Sequence, residues 1–306
     1  MSEDQQKSEH FRCGYVAIIG DPNVGKSTLM NALLQQKISI VTPKPQTTRH
    51  KVLGILSTLE YQVIFLDTPG IIEPKYLLQE VMMQCAGSAM KDADILWYMI
   101  DAANPRSDID FADKEAFQRL LGLKKPVYLV INKTDLVKKG ALLPVMDFYS
   151  KAYSFKEIFP ISALKADGTR ELLAEVVRDL PEHPPLYPLD IVSEQNERFF
   201  VSEIIREKIF MKCREEIPYS ATVEIVDFKE RENGKTFINA NIYVERGSQK
   251  GILIGKSGAM LKEIGQSARV EIERFLHHPV FLDLHVKVQK EWRGDENALA
   301  RFGYKT

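Results

Sequence analysis

GDPNVGKST, residues 20–28, follows the apolar run YVAIIG (15–20) and opens the helix-like stretch KSTLMNALLQQ. Gly20, Asp21, Pro22, Asn23, Val24, Gly25, Lys26 and Ser27 fit GxxxxGK[ST] at every fixed position. They also sit between a strand and a helix, the context that motif needs. Glycines let backbone N–H groups turn inward on phosphate oxygens, and the helix N-terminus adds partial positive charge. Lys26 is expected to reach the β- and γ-phosphates and Ser27 to ligate Mg2+, with Thr28 completing the phosphate-binding stretch.

Outward from this loop the chain alternates. Short β-branched runs (YQVIFLD 61–67, ILWYMID 95–101, PVYLVIN 126–132, EIFPIS 157–162) are separated by helix-like stretches such as LLQEVMMQCAGSAMKD, FADKEAFQRLLGL, ALLPVMDFYSKA and TRELLAEVVRDL. Near-continuous apolar strands between amphipathic helices predict an α/β domain with a mainly parallel sheet covered on both faces. Ligands of such sheets sit beyond the carboxyl ends of the strands. PEHPPLYP, residues 181–188, carries four prolines and reads as a stiff linker. After it the order changes to helix (198–213), strand (219–228), an Asn-Gly turn at Glu232-Asn233-Gly234, strand (236–245), glycine loop, helix (259–276) and strand (280–288). That is an α+β domain. The expected division is a disordered polar extension at 1–13, the α/β domain at 14–181, a linker at 182–197 and the second domain at 198–306.

The length of 306 residues suits two domains, and a formal charge of −1 confines any nucleic-acid site to a local patch. Three distant cysteines without a CxxC pair argue for a reducing compartment. MSEDQQKSEHFR lacks the apolar core of a signal peptide, and the longest apolar runs are too short to span a bilayer. A soluble cytoplasmic protein is the expectation.

Three further strings follow strands. In Asp67-Thr68-Pro69-Gly70, the Asp is suited to the Mg2+ water shell and the Gly70 N–H to a γ-phosphate. In Asn132-Lys133-Thr134-Asp135, a carboxylate accepts from both N1–H and the exocyclic amine of guanine, which adenine does not offer. Asp135 therefore selects GTP over ATP, Asn132 braces the loop and the Lys133 stem packs over the base. Ser162-Ala163-Leu164 closes the last strand, where a backbone N–H can meet guanine O6. PQTTR (45–49) lies in a loop, where Thr48, or alternatively Thr47, completes the Mg2+ shell. Lys26, Thr48, Gly70 and Asn23 are the candidate catalytic groups.

GILIGKSG, residues 251–258, repeats GKS but fails as a second phosphate loop. The position six before Lys256 is Lys250, not glycine, and no DxxG or NKxD follows. It fits instead the GXXG turn of a type II KH module, whose backbone clamps about four nucleotides of single-stranded RNA. From Arg246 to Lys262 there are four basic residues (Arg246, Lys250, Lys256, Lys262) and no acid. That charge pattern suits backbone contact, with no call for DNA. The expected RNA site is Lys250, Ile252, Ile254, Gly255, Lys256, Ser257, Gly258 and Lys262, with Ile252, Ile254 and Met260 either flooring a groove or joining the core. His277-His278 has no partner at metal spacing and reads as a helix end. FFVSEIIREKIFMK (199–212) reads as a core-packing helix whose charges form a solvated face.

Residues 15–180 resemble the translation-factor class of GTPases. Where many of these place a water-orienting glutamine after the DxxG glycine, this chain has Ile71. It is similar to the subgroup with a hydrophobic residue there, in which the asparagine matching Asn23 helps bind a potassium ion. The resemblance implies slow, potassium-stimulated hydrolysis; a purely turn-stabilising Asn23 is the alternative. GDPNVGKST, PQTTRH, DTPG, NKTD, RFFVSEIIREK, EIPYSATVEI, IGKSG and RFGY together resemble the bacterial Era family over nearly the whole chain. That resemblance implies GTP/GDP and Mg2+ as cofactors and binding to the 3′ end of 16S rRNA. It also implies a role in rRNA processing and maturation of the small (30S) ribosomal subunit, and a loose peripheral contact with the cytoplasmic face of the inner membrane. Two rival readings are a membrane-associated signalling GTPase whose C-terminal domain binds protein, and an RNA-binding protein whose nucleotide is only structural. The missing anchor counts against the first, and the complete Mg2+ set against the second.

Overall fold

The computed structural model describes residues 10–105, 124–230 and 234–304. The helix expected within 111–123, two residues of the Glu232-Asn233-Gly234 turn and the first nine residues of the polar extension lie outside the described residues. Two compact units emerge. The first holds Met1–Ser39, Thr48–Ile72 and Met83–Glu194; the second holds Ile40–Thr47, Glu73–Met82 and Gln195–Thr306.

The first unit is built on a six-stranded sheet of order β2-β3-β1-β4-β5-β6. Strands β1 (Arg12–Gly20), β3 (Tyr61–Asp67), β4 (Ile95–Asp101), β5 (Val127–Asn132) and β6 (Glu157–Pro160) run parallel, while β2 (Val52–Ser57) is antiparallel to β3. The apolar runs are buried as a two-sided sheet requires, and Val16, Phe65, Leu96 and Val130 are inaccessible. Helices α1 (Lys26–Leu34), α2 (Leu77–Asp92), α3 (Leu142–Ala152) and α4 (Thr169–Asp179) follow the expected stretches. On α4, Leu172 and Val176 form the i, i+4 apolar stripe and are fully buried.

Strand β2 was not expected. Its run, VLGILS, is interrupted by Gly54, which weakens a strand signal. Its place comes from a hairpin with β3, closed by Thr58 N–H donating to Tyr61 O at 2.8 Å. β1 begins at Arg12, inside the stretch expected to be disordered. The Arg12 guanidinium donates to Arg178 O (2.8 Å) and Leu180 O (2.7 Å), tying the strand to the end of α4. The proline-rich segment is likewise strapped along the first unit. Leu186 N–H and Tyr187 N–H both donate to Gln62 Oε1 at 2.9 Å, and Ile55 N–H donates to Val192 O at 2.8 Å.

In the second unit α5 (Glu197–Lys212) is capped by Asn196, whose Oδ1 accepts from Phe199 N–H at 3.0 Å. A short α6 (Ile217–Ser220) leads into β7 (Thr222–Glu230), which pairs antiparallel with β8 (Thr236–Val244); β8 pairs parallel with β9 (Val280–Val288). Between β8 and β9 lie α7 (Gly247–Ile254) and α8 (Ala259–Leu276), and α9 (Glu296–Arg301) follows. One face of the sheet (Ile238, Ala240, Ile242, Val244) packs with Ile205, Ile209, Leu253, Ile264 and Ile272. This is the expected α+β arrangement, with α6 and α9 additional to it. Trp292 Nε1–H donates to Ser220 O at 2.8 Å and its ring stacks on Tyr304, which anchors the C-terminal segment.

The charges on α5 correct the expectation of a solvated face. Glu203, Arg206, Glu207 and Lys208 are all buried. They pair with one another or with Glu271: Arg206 Nε–H donates to Glu203 Oε1 at 2.7 Å, and Lys208 Nζ to Glu207 Oε2 at 2.8 Å and to Glu271. The Val41 N–H of the same unit donates to Glu207 Oε1 at 3.1 Å. Pairing offsets the desolvation that burying single charges would cost. Among the described residues no helix is long and apolar enough to cross a membrane.

Candidate nucleotide site and nucleic-acid interface

The loop after β1 turns sharply into α1, with Asn23 at φ 64° and Gly25 at φ 102°. Lys26 is buried at the first turn of α1, where its Nζ donates to Gly20 O (3.1 Å) and Asp21 O (2.8 Å). Burial lowers its pKa to about 8, against the pull of Asp67 and Asp21. A buried cation whose hydrogen bonds go to backbone carbonyls is poised for an anion.

Ser27 Oγ donates to Asp67 Oδ2 at 2.6 Å and lies 3.0 Å from Thr48 Oγ1. Burial raises the Asp67 pKa, eased by the Ser27 hydroxyl and the Lys26 charge. Asp67 Oδ1 is buried without a formed hydrogen bond. Thr47 is elsewhere: its Oγ1 lies 2.7 Å from Thr42 Oγ1 and donates to Lys44 O at 2.8 Å. Of the two threonines, Thr48 joins the cluster. Two hydroxyls and a carboxylate with an unsatisfied oxygen make a hard-oxygen set that fits Mg2+.

Thr68 Oγ1 donates to Ile18 O at 2.8 Å, which fixes the chain as it leaves β3. Gly70 passes so close to Pro22 that a Cβ there would lie 2.6 Å from Pro22 Cα. Ile71 N–H donates to Gly20 O at 3.0 Å, while the Ile71 side chain packs on the core. The residue after Gly70 therefore offers no polar group, and the Asn23 side chain nearby is exposed.

At the end of β5, Asn132 is buried. Its Nδ2 donates to Val24 O (2.8 Å) and its Oδ1 accepts from Ala163 N–H (2.8 Å), so it ties three loops together. Lys133, at φ 65°, donates from Nζ to Asn23 O (2.8 Å) and to Asp101 Oδ2 (2.6 Å). Thr134 N–H donates to Ile161 O at 3.1 Å. Ser162 Oγ donates to Asp135 Oδ1 at 2.7 Å and holds that carboxyl below the usual range. Leu164 is exposed beside it. The expected nucleotide-site residues are thus gathered at the carboxyl ends of β1, β3 and β5 and after β6. Asp101, at the end of β4, was not anticipated. The signal for it was its place at the end of the run ILWYMID.

The second candidate site is the turn between α7 and α8. Gly255 (φ 70°), Ser257 (φ 52°) and Gly258 (φ 80°) are all at positive φ, and a Cβ on Gly255 would lie 2.7 Å from Met260 Cβ. Lys256, Ser257 and Lys262 are exposed and Lys250 half-buried. Ile254 and Met260 pack on the core, whereas Ile252 is 54% exposed, leaving Ile252 as the open apolar residue beside the turn. His278 Nε2 lies 2.7 Å from Thr236 Oγ1.

A phosphate-loop GTPase domain followed by a KH domain is the class that this fold and this site define. The family described as 50S ribosome-binding GTPase matches residues 15–133, and the KH domain family matches 216–293. The GTPase Era of Ruminiclostridium cellulolyticum is 45% identical over 296 residues, covering 97% of this chain and 98% of that protein. A chloroplastic ERA-like GTPase of Arabidopsis thaliana is 47% identical and is covered over 69% of its length. A crystal structure of Era in complex with MgGDPNP and nucleotides 1506–1542 of 16S ribosomal RNA superposes with a TM-score of 0.92 at 43% identity, covering 97% of this chain and all of that one. An Aquifex aeolicus Era variant bound to GDP.AlF4- gives 0.91 at 42%. The chain belongs to the Era family of GTPases.

Proposed function

We propose that this chain is a GTP-hydrolysing switch that binds the 3′ end of 16S rRNA and assists rRNA processing and maturation of the small (30S) ribosomal subunit. The proposed division is a GTPase domain that starts with β1 at Arg12 and runs to 181, a linker at 182–197 and a KH domain at 198–306. The single observation that carries the RNA assignment is the Gly255–Gly258 turn with three residues at positive φ, exposed beside Lys256 and Lys262, in a chain with the fold of an Era bound to 16S rRNA. The double substitution Lys256→Asp, Ser257→Asp puts two negative charges against the phosphates and leaves both glycines in place. Affinity for a 16S 3′-end oligonucleotide should fall at least tenfold, with GTP affinity unchanged. Full RNA binding by the folded double variant would overturn the assignment.

In hydrolysis, Lys26 and the Gly70 N–H bind and orient the γ-phosphoryl group, while Ser27, Thr48 and Asp67 would hold Mg2+. Bound there, Mg2+ would supply positive charge that offsets the negative charge of the phosphates. Asp135 selects guanine and Asn132 braces its loop. Since Ile71 orients no water, intrinsic hydrolysis is slow, and Asn23 would help hold a potassium ion whose charge makes up for the missing group. Replacing sodium by potassium at constant ionic strength should raise the rate several-fold, and Asn23→Ala should remove the rise. Equal rates in both salts would rule this out. The cytoplasmic setting rests on three cysteines, Cys13, Cys85 and Cys213, that are all unpaired.

A further inference from the structure

We propose that Asp101 is a positioning residue of the nucleotide site: acting through Lys133, it fixes both the base-binding loop and the carbonyl of Asn23 in the phosphate loop. The inference rests on the assignment of Asn132–Asp135 to the guanine base.

Asp101 is the last residue of β4 and stands opposite Asn132 in the β4–β5 register. Ala102 N–H donates to Asn132 O at 2.8 Å, so the two strand ends are stitched together past the sheet. The Asp101 carboxylate is itself held. Its Oδ1 accepts from Ala103 N–H at 2.9 Å, which leaves Oδ2 aimed at Lys133 Nζ at 2.6 Å. The side chains of this pair are only 18% and 25% exposed.

Lys133 has a long, flexible stem, and an unanchored lysine would sample many rotamers. With Nζ fixed on Asp101 and on Asn23 O, the stem becomes a set surface beside the base-binding loop. The same ammonium steadies Asn23, a non-glycine residue in the left-handed region. The next carbonyl, Val24 O, is held by Asn132. Consecutive residues of one loop thus grip consecutive carbonyls of the other, and Asp101 is the fixed point behind that grip. The pair is mostly shielded, so removing one partner costs folding stability as well. Its effect on binding comes from ordering the loop before nucleotide arrives.

Asp101→Asn keeps the Oδ1 acceptor for Ala103 N–H but removes the charge that holds Lys133. GDP affinity of the folded variant should fall about tenfold. The decisive readout is a double-mutant cycle with Lys133→Met, which keeps an apolar stem. In that background Asp101→Asn should change GDP affinity by less than about twofold. Unchanged affinity in Asp101→Asn alone, or the same loss in the Lys133→Met background, would overturn the inference. Asp135→Asn separates this from the underlying assignment. If that variant still prefers GDP to ADP, the guanine assignment fails; if the preference is lost while Asp101→Asn is silent, only the role of Asp101 fails.

Discussion

Lys26 is a buried cation whose pKa is lowered to about 8 by desolvation. Below pH 8 both folded and unfolded chains carry its proton, and the folded state bears the cost of the buried charge. As pH rises from about 8 toward the ordinary lysine value, the unfolded chain holds more protons, so this group favours folding increasingly. Nucleotide phosphates reverse the shift by restoring a counter-charge, so binding takes up a proton above pH 8. The contribution of this group to GTP affinity should be constant below pH 8 and fall by up to about tenfold per pH unit above it. Calorimetry in two buffers of different ionisation enthalpy would detect the uptake, and equal affinity at pH 7 and pH 9.5 would disprove it. At this scale the phosphate loop, DTPG and NKTD were legible because spacing and strand context name them. Asp101 was not, since a lone aspartate at a strand end is silent until the β4–β5 register brings it to Lys133.

Elements were legible where burial is two-sided or an apolar stripe is long. β3, β4 and α2 coincide with the runs that announced them. β2 escaped because its partner, not its own composition, makes it a strand. The buried charges of α5 escaped because a helix rich in both signs reads as solvated until its ion partners are placed. The strap was visible in its first part as the proline-rich 181–188, but its attachment depends on Gln62, a glutamine fully buried in a strand. Gln62 Oε1 accepts from Leu186 N–H and Tyr187 N–H, and its Nε2 donates to Tyr187 O at 2.9 Å. Gln62→Leu leaves these backbone groups without partners. It should cost roughly 2–4 kcal/mol and speed hydrogen exchange at residues 186 and 187. Unaltered protection there would show that the strap is held by other contacts.

The whole molecule is nearly neutral, so net charge does not attract RNA, and the proposed site assigns that attraction to the basic run Arg246–Lys262. If its four basic residues each meet a phosphate, the logarithm of RNA affinity should fall with the logarithm of salt with a slope near −3, at about −0.7 per contact. A flat response would assign binding to stacking alone. The parallel pairing of β8 with β9 has a consequence during synthesis. β7 and β8 are neighbours in sequence and can pair as soon as both have left the ribosome. β9 must wait for the whole α7–turn–α8 crossover, and a parallel return of this kind is closed late. A nascent chain that ends before Val280 lacks the strand that contributes Val280 and Val286 to the core under α8. The glycine turn therefore gains its rigid support only once the last strand is made, and an unfinished copy has the turn's sequence without its geometry.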